Sequence, residues 1–563
     1  MASANLKEPF PTILRKQRES RGDTVFLRDV DGGCRTYAQV DVMAGRWSRV
    51  LTGLDITSGD KVATLLPTSI TGVEVWFGIN YAGAVDVPVH TDYRSALLTH
   101  VLESSHSRVL VVAASLIDRC RDIDWSVLGD LSHLVVVGGL ADRAASWVPA
   151  SVLVHDADQL LLGIDPAPSP TGAAHDVASV LFTSGTTGRP KGVLVTYSQL
   201  LATTEGCWPL KDFGVDDVYY APVPLHHISG KLAVITALLT GGQALLRERF
   251  KTSRFFPDVR QFNVTAVCLV GAMAAFLMDL PPAEDEAATT LDKVLLLPLP
   301  PYLDEFRRRF GVRVCTIYNQ TEISVPINSA GWVTEGFQSC GRVRAGYQCR
   351  IVDENDYPVP PGEVGELVVR ADDPWALMNG YLGLPEKTVH SWRNLWYHTG
   401  DAFRADADGN FYFVDRLNDV IRRRGENISS YELETAVLKH PAVAECAAIA
   451  IKSEWTEDEV KIVIVLQPGM ELSPQELVDF LADEVPRFML PRFVSVVDQM
   501  PKTPTERVRK AELIRMHADE PGWDREAVQA GTPPKATEPS LCRHEDGVPD
   551  HCPCHPSFIT GSH

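Results

Sequence analysis

The residues Thr183-Ser184-Gly185-Thr186-Thr187-Gly188-Arg189-Pro190-Lys191-Gly192 follow directly on the apolar run Ser179-Val180-Leu181-Phe182. Glycine lets backbone amides approach phosphate oxygens, Ser and Thr hydroxyls donate further hydrogen bonds, and Lys191 adds a compact positive charge. Those types at that spacing predict a cradle for a polyphosphate. Gly192 stands where the Walker pattern has Ser or Thr, so the fold around the cradle need not be a P-loop one. Taken alone, the string also fits a flexible Gly/Thr surface turn.

A cradle needs a strand to carry it and layers to hold the strand. The chain has 563 residues, 45% hydrophobic and 22% charged, enough for two or more domains with their own cores. From Thr36 to Val270, β-branched runs such as Lys61 to Leu66, Val109 to Val112 and Leu134 to Val137 alternate with helix-like stretches such as Gly72 to Tyr81. Runs of that kind predict parallel strands buried on both faces, an α/β fold. Between Gly341 and Tyr412, turn signals such as Pro360-Pro361-Gly362 and Ala407-Asp408-Gly409-Asn410 predict a β-rich subdomain.

After Arg416 a small α+β unit is expected. Ser429 with Glu432, and Ser473-Pro474 with Glu476, have capping-box form, with helix ends near Pro441 and Pro486. Strands are expected over Ala447 to Ile451 and Lys461 to Leu466. The residues from His517 on are rich in Pro, Glu, Asp and His and are expected to be a disordered tail. Its Cys552-Pro553-Cys554 lacks the spacing of a zinc knuckle.

Lys and Arg number 53 against 73 Asp and Glu, a formal charge of -20, which argues against nucleic-acid or membrane-surface binding and requires any anion to be held locally. The 11 cysteines are scattered, as expected for buried thiols in a reducing cytoplasm. No basic-then-apolar leader precedes Pro11 and no apolar run is long enough to span a membrane, so a cytoplasmic protein is expected.

The string at Thr183 resembles the phosphate loop of the adenylate-forming superfamily, which includes acyl-CoA synthetases, peptide-synthetase adenylation domains and firefly luciferases. Further segments match the family in order: Pro224-Leu225-His226-His227-Ile228-Ser229-Gly230, Tyr318-Asn319-Gln320-Thr321-Glu322, Trp396-Tyr397-His398-Thr399-Gly400-Asp401, Asp415-Arg416-Leu417-Asn418-Asp419, Gly425-Glu426-Asn427-Ile428 and Pro501-Lys502-Thr503-Pro504-Thr505. Together they span about Tyr37 to Leu513. The resemblance implies a large N-terminal domain over 1–416, a hinge at 417–419 centred on Asn418, and a small rotating C-terminal domain over 420–516, followed by the tail 517–563.

For the site, it implies ATP or an acyl-AMP, Mg²⁺ and coenzyme A. Thr183 to Gly188 and Lys191 would hold phosphate, and Glu322 would bind the Mg²⁺, which prefers carboxylate oxygen. Tyr318 offers adenine a flat face, with Asn319 and Thr321 beside it. Asp401 can accept from both ribose hydroxyls, and Arg416 can donate to sugar or phosphate. Gly425, Glu426 and Asn427 would border the CoA arm. Arg422-Arg423-Arg424 either meets CoA phosphates or forms a solvated charged face. His227 stands where amino-acid-activating relatives commonly carry an Asp, so an α-amino acid is not expected. His227, Gly271 and Ile323 are expected to line a pocket for an aliphatic, terpenoid-like or aromatic acid.

Some positions depart from the pattern. The family's last motif ends in a lysine that bridges the substrate carboxylate and the α-phosphate, and here Arg507 occupies that place, preceded by Glu506. A planar guanidinium does not reproduce a compact ammonium, so adenylation is expected to suffer. Leu295 to Pro301 replaces a glycine-rich loop, and Asn319 stands where glycine is usual. Two readings follow: a complete acyl-CoA ligase, or an enzyme that only transfers a preformed acyl-adenylate to CoA and depends on a separate adenylating enzyme. A ligase with a non-CoA acceptor is a third.

Overall fold

Helix Ile70–Tyr81 is apolar on every side and nearly every residue in it is buried. Val73, Trp76 and Phe77 pack with Phe26, Leu27 and Leu246, while Val75 and Ile79 pack with Val62, Val109 and Val135, so the helix is sandwiched between two sheets. The structure, a computed structural model, describes residues 8–529 except 140, 168–171, 186–187, 284–285, 301, 417–419, 424–425, 454–457, 502–507, 509, 518–519 and 521.

Among the described residues, each of these sheets has seven strands. The first runs in the spatial order Leu153–Asp156, His133–Val137, Val109–Ala113, Lys61–Leu65, Val85–Pro88, Val177–Gly185, Gly188–Thr196. Neighbours are parallel up to Val177–Gly185, and the last pair is an antiparallel hairpin. The second runs Arg313–Cys315, Lys293–Leu297, Ala266–Val270, Val218–Ala221, Gln243–Leu246, Val25–Asp29, Cys34–Thr36, parallel except for its last pair. Strands buried on both faces explain the continuous β-branched runs. The phosphate string is less loop-like than expected: its strands continue to Gly185 and resume at Gly188, which sets Thr183 opposite Lys191.

The β-rich part is an antiparallel sheet of Tyr347–Val352, Gly365–Ala371, Tyr397–Ala405 and Phe411–Arg416. Past residue 420, a separate apolar cluster forms around Ile421, Leu433, Ile462 and Leu481. Helix Pro474–Glu484 opens with the Ser473/Glu476 capping box and ends ahead of Pro486. Strands Val443–Lys452 and Asp458–Leu466 pair antiparallel. The side chains of Ser429 and Glu432 lie outside the description, although helix Ser430–Val437 does begin there.

The boundary at 516/517 is corrected. Trp523–Asp524 adds an edge strand beside Phe493–Val496, Arg492 bonds Asp524 at 3.1 Å, and Trp523 packs on the small apolar cluster. A two-residue strand is too short to leave a periodic signal amid Pro and acidic residues. Residues 530–563 lie outside the described residues. No helix among the described residues is long and apolar enough to cross a membrane.

Candidate active site

A cavity of about 410 Å³ opens beyond the carboxyl ends of strands Val85–Pro88, Ala266–Val270 and Lys293–Leu297. Such positions in parallel sheets are habitual ligand sites because loops converge there. The cavity has three differently built walls.

The first carries charge. Lys191 Nζ lies 2.8 Å from Glu322 Oε1 and donates to Tyr381 Oη at 2.7 Å. Tyr381 in turn donates to the same Glu322 oxygen at 2.9 Å. Burial would raise the Glu322 carboxyl, but Lys191 outweighs it and holds the group below its ordinary range. Burial likewise opposes the Lys191 charge, and Glu322 and Tyr381 more than restore it. Thr183 lines the cavity nearby, its buried hydroxyl without a hydrogen-bond partner among the described residues.

Asp401 is buried beside this group and accepts from Tyr318 Oη at 2.7 Å and from Gln320 Nε2 at 2.8 Å. Arg416 is its cross-strand partner in register. Asn319 turns its carbonyl to the Val325 amide at 2.9 Å, and Val325 holds a left-handed φ of 54°, so this departure from glycine pins a strained turn. Thr321 uses its carbonyl to accept from Gln199.

The second wall is apolar: Cys207, Leu232, Cys268, Val270, Leu295 and Ile317. Burial pushes the Cys268 thiol up to about 12 and Cys207 well above its ordinary value, so both are neutral surfaces. Two residues expected to line the pocket are not among the wall's side chains. Gly271 is the first residue of helix Gly271–Met278 and Ile323 is fully buried in the core, and the wall is formed by their neighbours Cys268 and Val270 and by Ile317. The apolar string Leu269 to Met273 does not say which of its residues faces the cavity. The strand's alternation decides that.

The third wall is a cluster of His90, His226, His227 and Glu426, with ligand atoms all within 4.8 Å of one another. His227 Nε2 lies 2.9 Å from one Glu426 oxygen and His90 Nε2 lies 3.6 Å from the other. His90 Nδ1 accepts the Asp92 amide at 3.0 Å, which leaves its proton on Nε2, facing the carboxylate. That nitrogen therefore carries a proton toward the carboxylate rather than a free lone pair for a metal, and the cluster is a clasp in which His227 is hydrogen-bonded to Glu426 while His90 stands 3.6 Å from it. Burial opposes the His227 charge, but Glu426 overrides it and raises the imidazole above 6.5. Burial drives His226 well below 6.5, reinforced by His90 and His227, so it is neutral.

Glu426, expected along the CoA arm, is thus brought against His227 from beyond residue 420. Arg423 meets neither alternative expected of it: it is buried, paired with Glu459 at 2.6 Å and donating to the Leu490 carbonyl. Asn418, Gly425, Thr186, Thr187 and Arg507 lie outside the described residues, as do the side chains of Ser184, Gly185, Gly188, Arg416 and Asn427. Tyr381, Gln320 and His90 were not anticipated. Gln320 lies inside a matched segment, with no local signal that its amide reaches Asp401. Tyr381 and His90 reach the site only through tertiary pairing.

The AMP-binding enzyme model matches residues 14–382 and the AMP-binding enzyme C-terminal domain model matches residues 432–507. Crotonobetaine/carnitine--CoA ligase of Salmonella agona (strain SL483) is 30% identical over 491 residues, 85% of this chain and 92% of the relative. A double mutant of o-succinylbenzoate CoA synthetase from Bacillus subtilis, bound with a product analogue, overlays with TM-score 0.76 at 23% identity, covering 90% of this chain and 98% of that one. The amide bond synthetase of Marinactinospora thermotolerans overlays with TM-score 0.77 at 22% identity, covering 91% and 100%. The chain belongs to the AMP-binding enzyme family, in its acyl-CoA ligase branch.

Proposed function

We propose that this enzyme makes an acyl-CoA thioester from an apolar carboxylic acid by way of an acyl-adenylate. The observation that carries the proposal is a single cavity in which a buried Lys–Glu–Tyr group, an apolar wall and a histidine clasp face one another.

In the first half-reaction the acid's carboxylate attacks the α-phosphate of ATP, the new C–O–P linkage forms and pyrophosphate leaves. Lys191, Thr183 and the hairpin amides supply positive charge and donors for the phosphates. Asp401, buried with Tyr318 and Gln320, is suited to the ribose hydroxyls. The Glu322 carboxylate, charged and beside Lys191, fits a Mg²⁺ ion, which would neutralise phosphate charge when bound. In the second half-reaction the CoA thiol attacks the acyl carbonyl, the C–S bond forms and AMP departs. His227 supplies a donor beside that centre and Glu426 stabilises its protonated form. A hinge at 417–419 would let the small unit exchange Glu426 for the motif segment ending at Arg507.

The apolar wall, with neutral Cys207 and Cys268, supports an aliphatic, terpenoid-like or aromatic acid. Incubation of an acid panel with ATP and CoA, followed by pyrophosphate release and mass detection of the thioester, tests this. Products with apolar acids are expected; amide formation with amines and no product with CoA would assign a different acceptor.

Arg507 favours a second reading, in which the enzyme performs only the thioester step and another enzyme supplies the adenylate. Arg507→Lys would then gain pyrophosphate release that the parent lacks.

A further inference from the structure

The residues Trp523–Gln529 lie beyond both family segments, 14–382 and 432–507, yet they fold back onto the small unit. Trp523–Asp524 pairs with Phe493–Val496, and Asp524 Oδ1 accepts the Glu526 amide at 2.9 Å, which opens the short helix Arg525–Gln529. Two carboxylates of this segment meet arginines of the unit. Asp524 lies 3.1 Å from Arg492, and Glu526 lies 3.5 Å from Arg492 and 3.7 Å from Arg423.

Arg423 carries that contact inward. Its side chain is 3% exposed, pairs with Glu459 at 2.6 Å, and donates to the Phe488 carbonyl at 3.3 Å and the Leu490 carbonyl at 2.8 Å. A guanidinium is a rigid planar fork, so an anion that fixes one edge also aims the other. Both carbonyls belong to the turn that begins at Arg487–Met489, from which the Phe488 ring lines the cavity and meets the His90 ring with centroids 4.8 Å apart. His90 is the clasp residue whose Nε2 faces Glu426. Of these contacts, Phe488 with His90 joins the part of the chain past residue 420 to the part ahead of it, and the others lie within the former.

We propose that Trp523–Gln529 is a brace for the thioester step: Glu526 orients Arg423, Arg423 holds the turn by its carbonyls, and the turn seats Phe488 on His90, which shields the His90–Glu426 contact from water. Glu526 is then a positioning residue that acts through Arg423. The phosphate wall of Lys191 and Glu322 is built from other parts of the chain, so the brace bears on one half-reaction. This rests on the thioester-forming reading given above.

The test uses the full chain. Thioester formation from a supplied acyl-adenylate and CoA is measured for the parent, Glu526→Gln, Phe488→Ala and the double variant, and the His90 ring resonances are followed by NMR. Glu526→Gln is expected to slow thioester formation about three- to fivefold, the size of a partly exposed ion pair, and Phe488→Ala to slow it more. In the Phe488→Ala background Glu526→Gln should add nothing, because the two act in series; a loss of folded protein would instead multiply through both. The His90 resonances should move with either substitution, since the Phe488 ring current falls on them. An unchanged rate in Glu526→Gln, multiplied losses in the double variant, or His90 resonances that ignore Glu526 would each overturn the brace. Absence of thioester from the parent overturns the ligase reading and the step assigned to the brace with it, while the His90 shift reports the Glu526–Phe488 link separately.

Discussion

The charged wall and the clasp both set a buried carboxylate against a cationic or protonatable partner, but they are assembled differently. Lys191, Glu322 and Tyr381 all come from the part of the chain ahead of residue 417, and their hydrogen bonds close a small ring. Glu426 comes from beyond residue 420 and meets His90 and His227 across 199 residues or more of chain. The first arrangement is fixed within one folded unit. The second joins a residue beside the apolar cluster past residue 420 to residues ahead of it, so under the proposed rotation of the small unit it would be made and broken without unfolding either. The pair proposed for the phosphate site and the pair proposed for the thioester step are thus distinguished by which parts of the chain supply them.

The largest expected effect strikes the support behind both walls. Lys231, in helix Ile228–Thr240 just past His227, pairs with Asp86 at 2.7 Å, and both side chains are 1% exposed. Asp86 also accepts from Thr64 and Ser179, tying the helix to the strand that carries the phosphate string. Lys231→Met leaves a buried carboxylate unpaired and should cost about 3–5 kcal/mol, read as a lowered unfolding midpoint; adding Asp86→Asn should recover much of it. Equal losses in single and double variants would show that packing rather than charge is responsible.

Next comes the charged wall itself. Lys191→Met should lower pyrophosphate release about 10²- to 10³-fold while leaving thioester formation from a supplied adenylate within a few-fold, as expected when one preorganised charge is removed from a developing anion. Parallel loss in both assays would put Lys191 in the clasp's step as well.

The clasp makes a prediction about protons. The His227 imidazole is raised above 6.5 by Glu426, so the contact's contribution is full below about 6.5 and fades as pH rises through the raised value. Ring titration by NMR should place His227 above 6.5 in the parent and below it in Glu426→Gln, where only burial remains. A value that does not respond to the substitution would mean the units are not docked in solution. The smallest effect is expected of His90→Ala, which removes the longer of the two contacts to Glu426 and should slow the thioester step no more than about fivefold.

Much of the charged wall was legible because it is written in contiguous strings. Thr183 to Gly192 and Tyr318 to Glu322 each place several candidate site residues within a short stretch of chain, and the β-branched runs announce the buried parallel strands around them. The clasp was legible only by halves. His227 and Glu426 each lie in a recognisable segment, but their pairing depends on how two units dock, and His90 follows a strand with no local signal of chemistry. Gly271 and Ile323 illustrate a related limit: an apolar run does not reveal which of its side chains faces a cavity and which faces the core. Arg423 shows the same limit for charge, since a run of three arginines looks solvated until its middle member is found in a buried pair with Glu459.

The most direct test of the two-wall account is a crossed measurement. Glu322→Gln and Glu426→Gln are each assayed for pyrophosphate release from ATP and acid and for thioester formation from acyl-adenylate and CoA. The account predicts that Glu322→Gln loses the first activity and keeps most of the second, and that Glu426→Gln does the reverse. Two variants that lose both activities in the same proportion would contradict it.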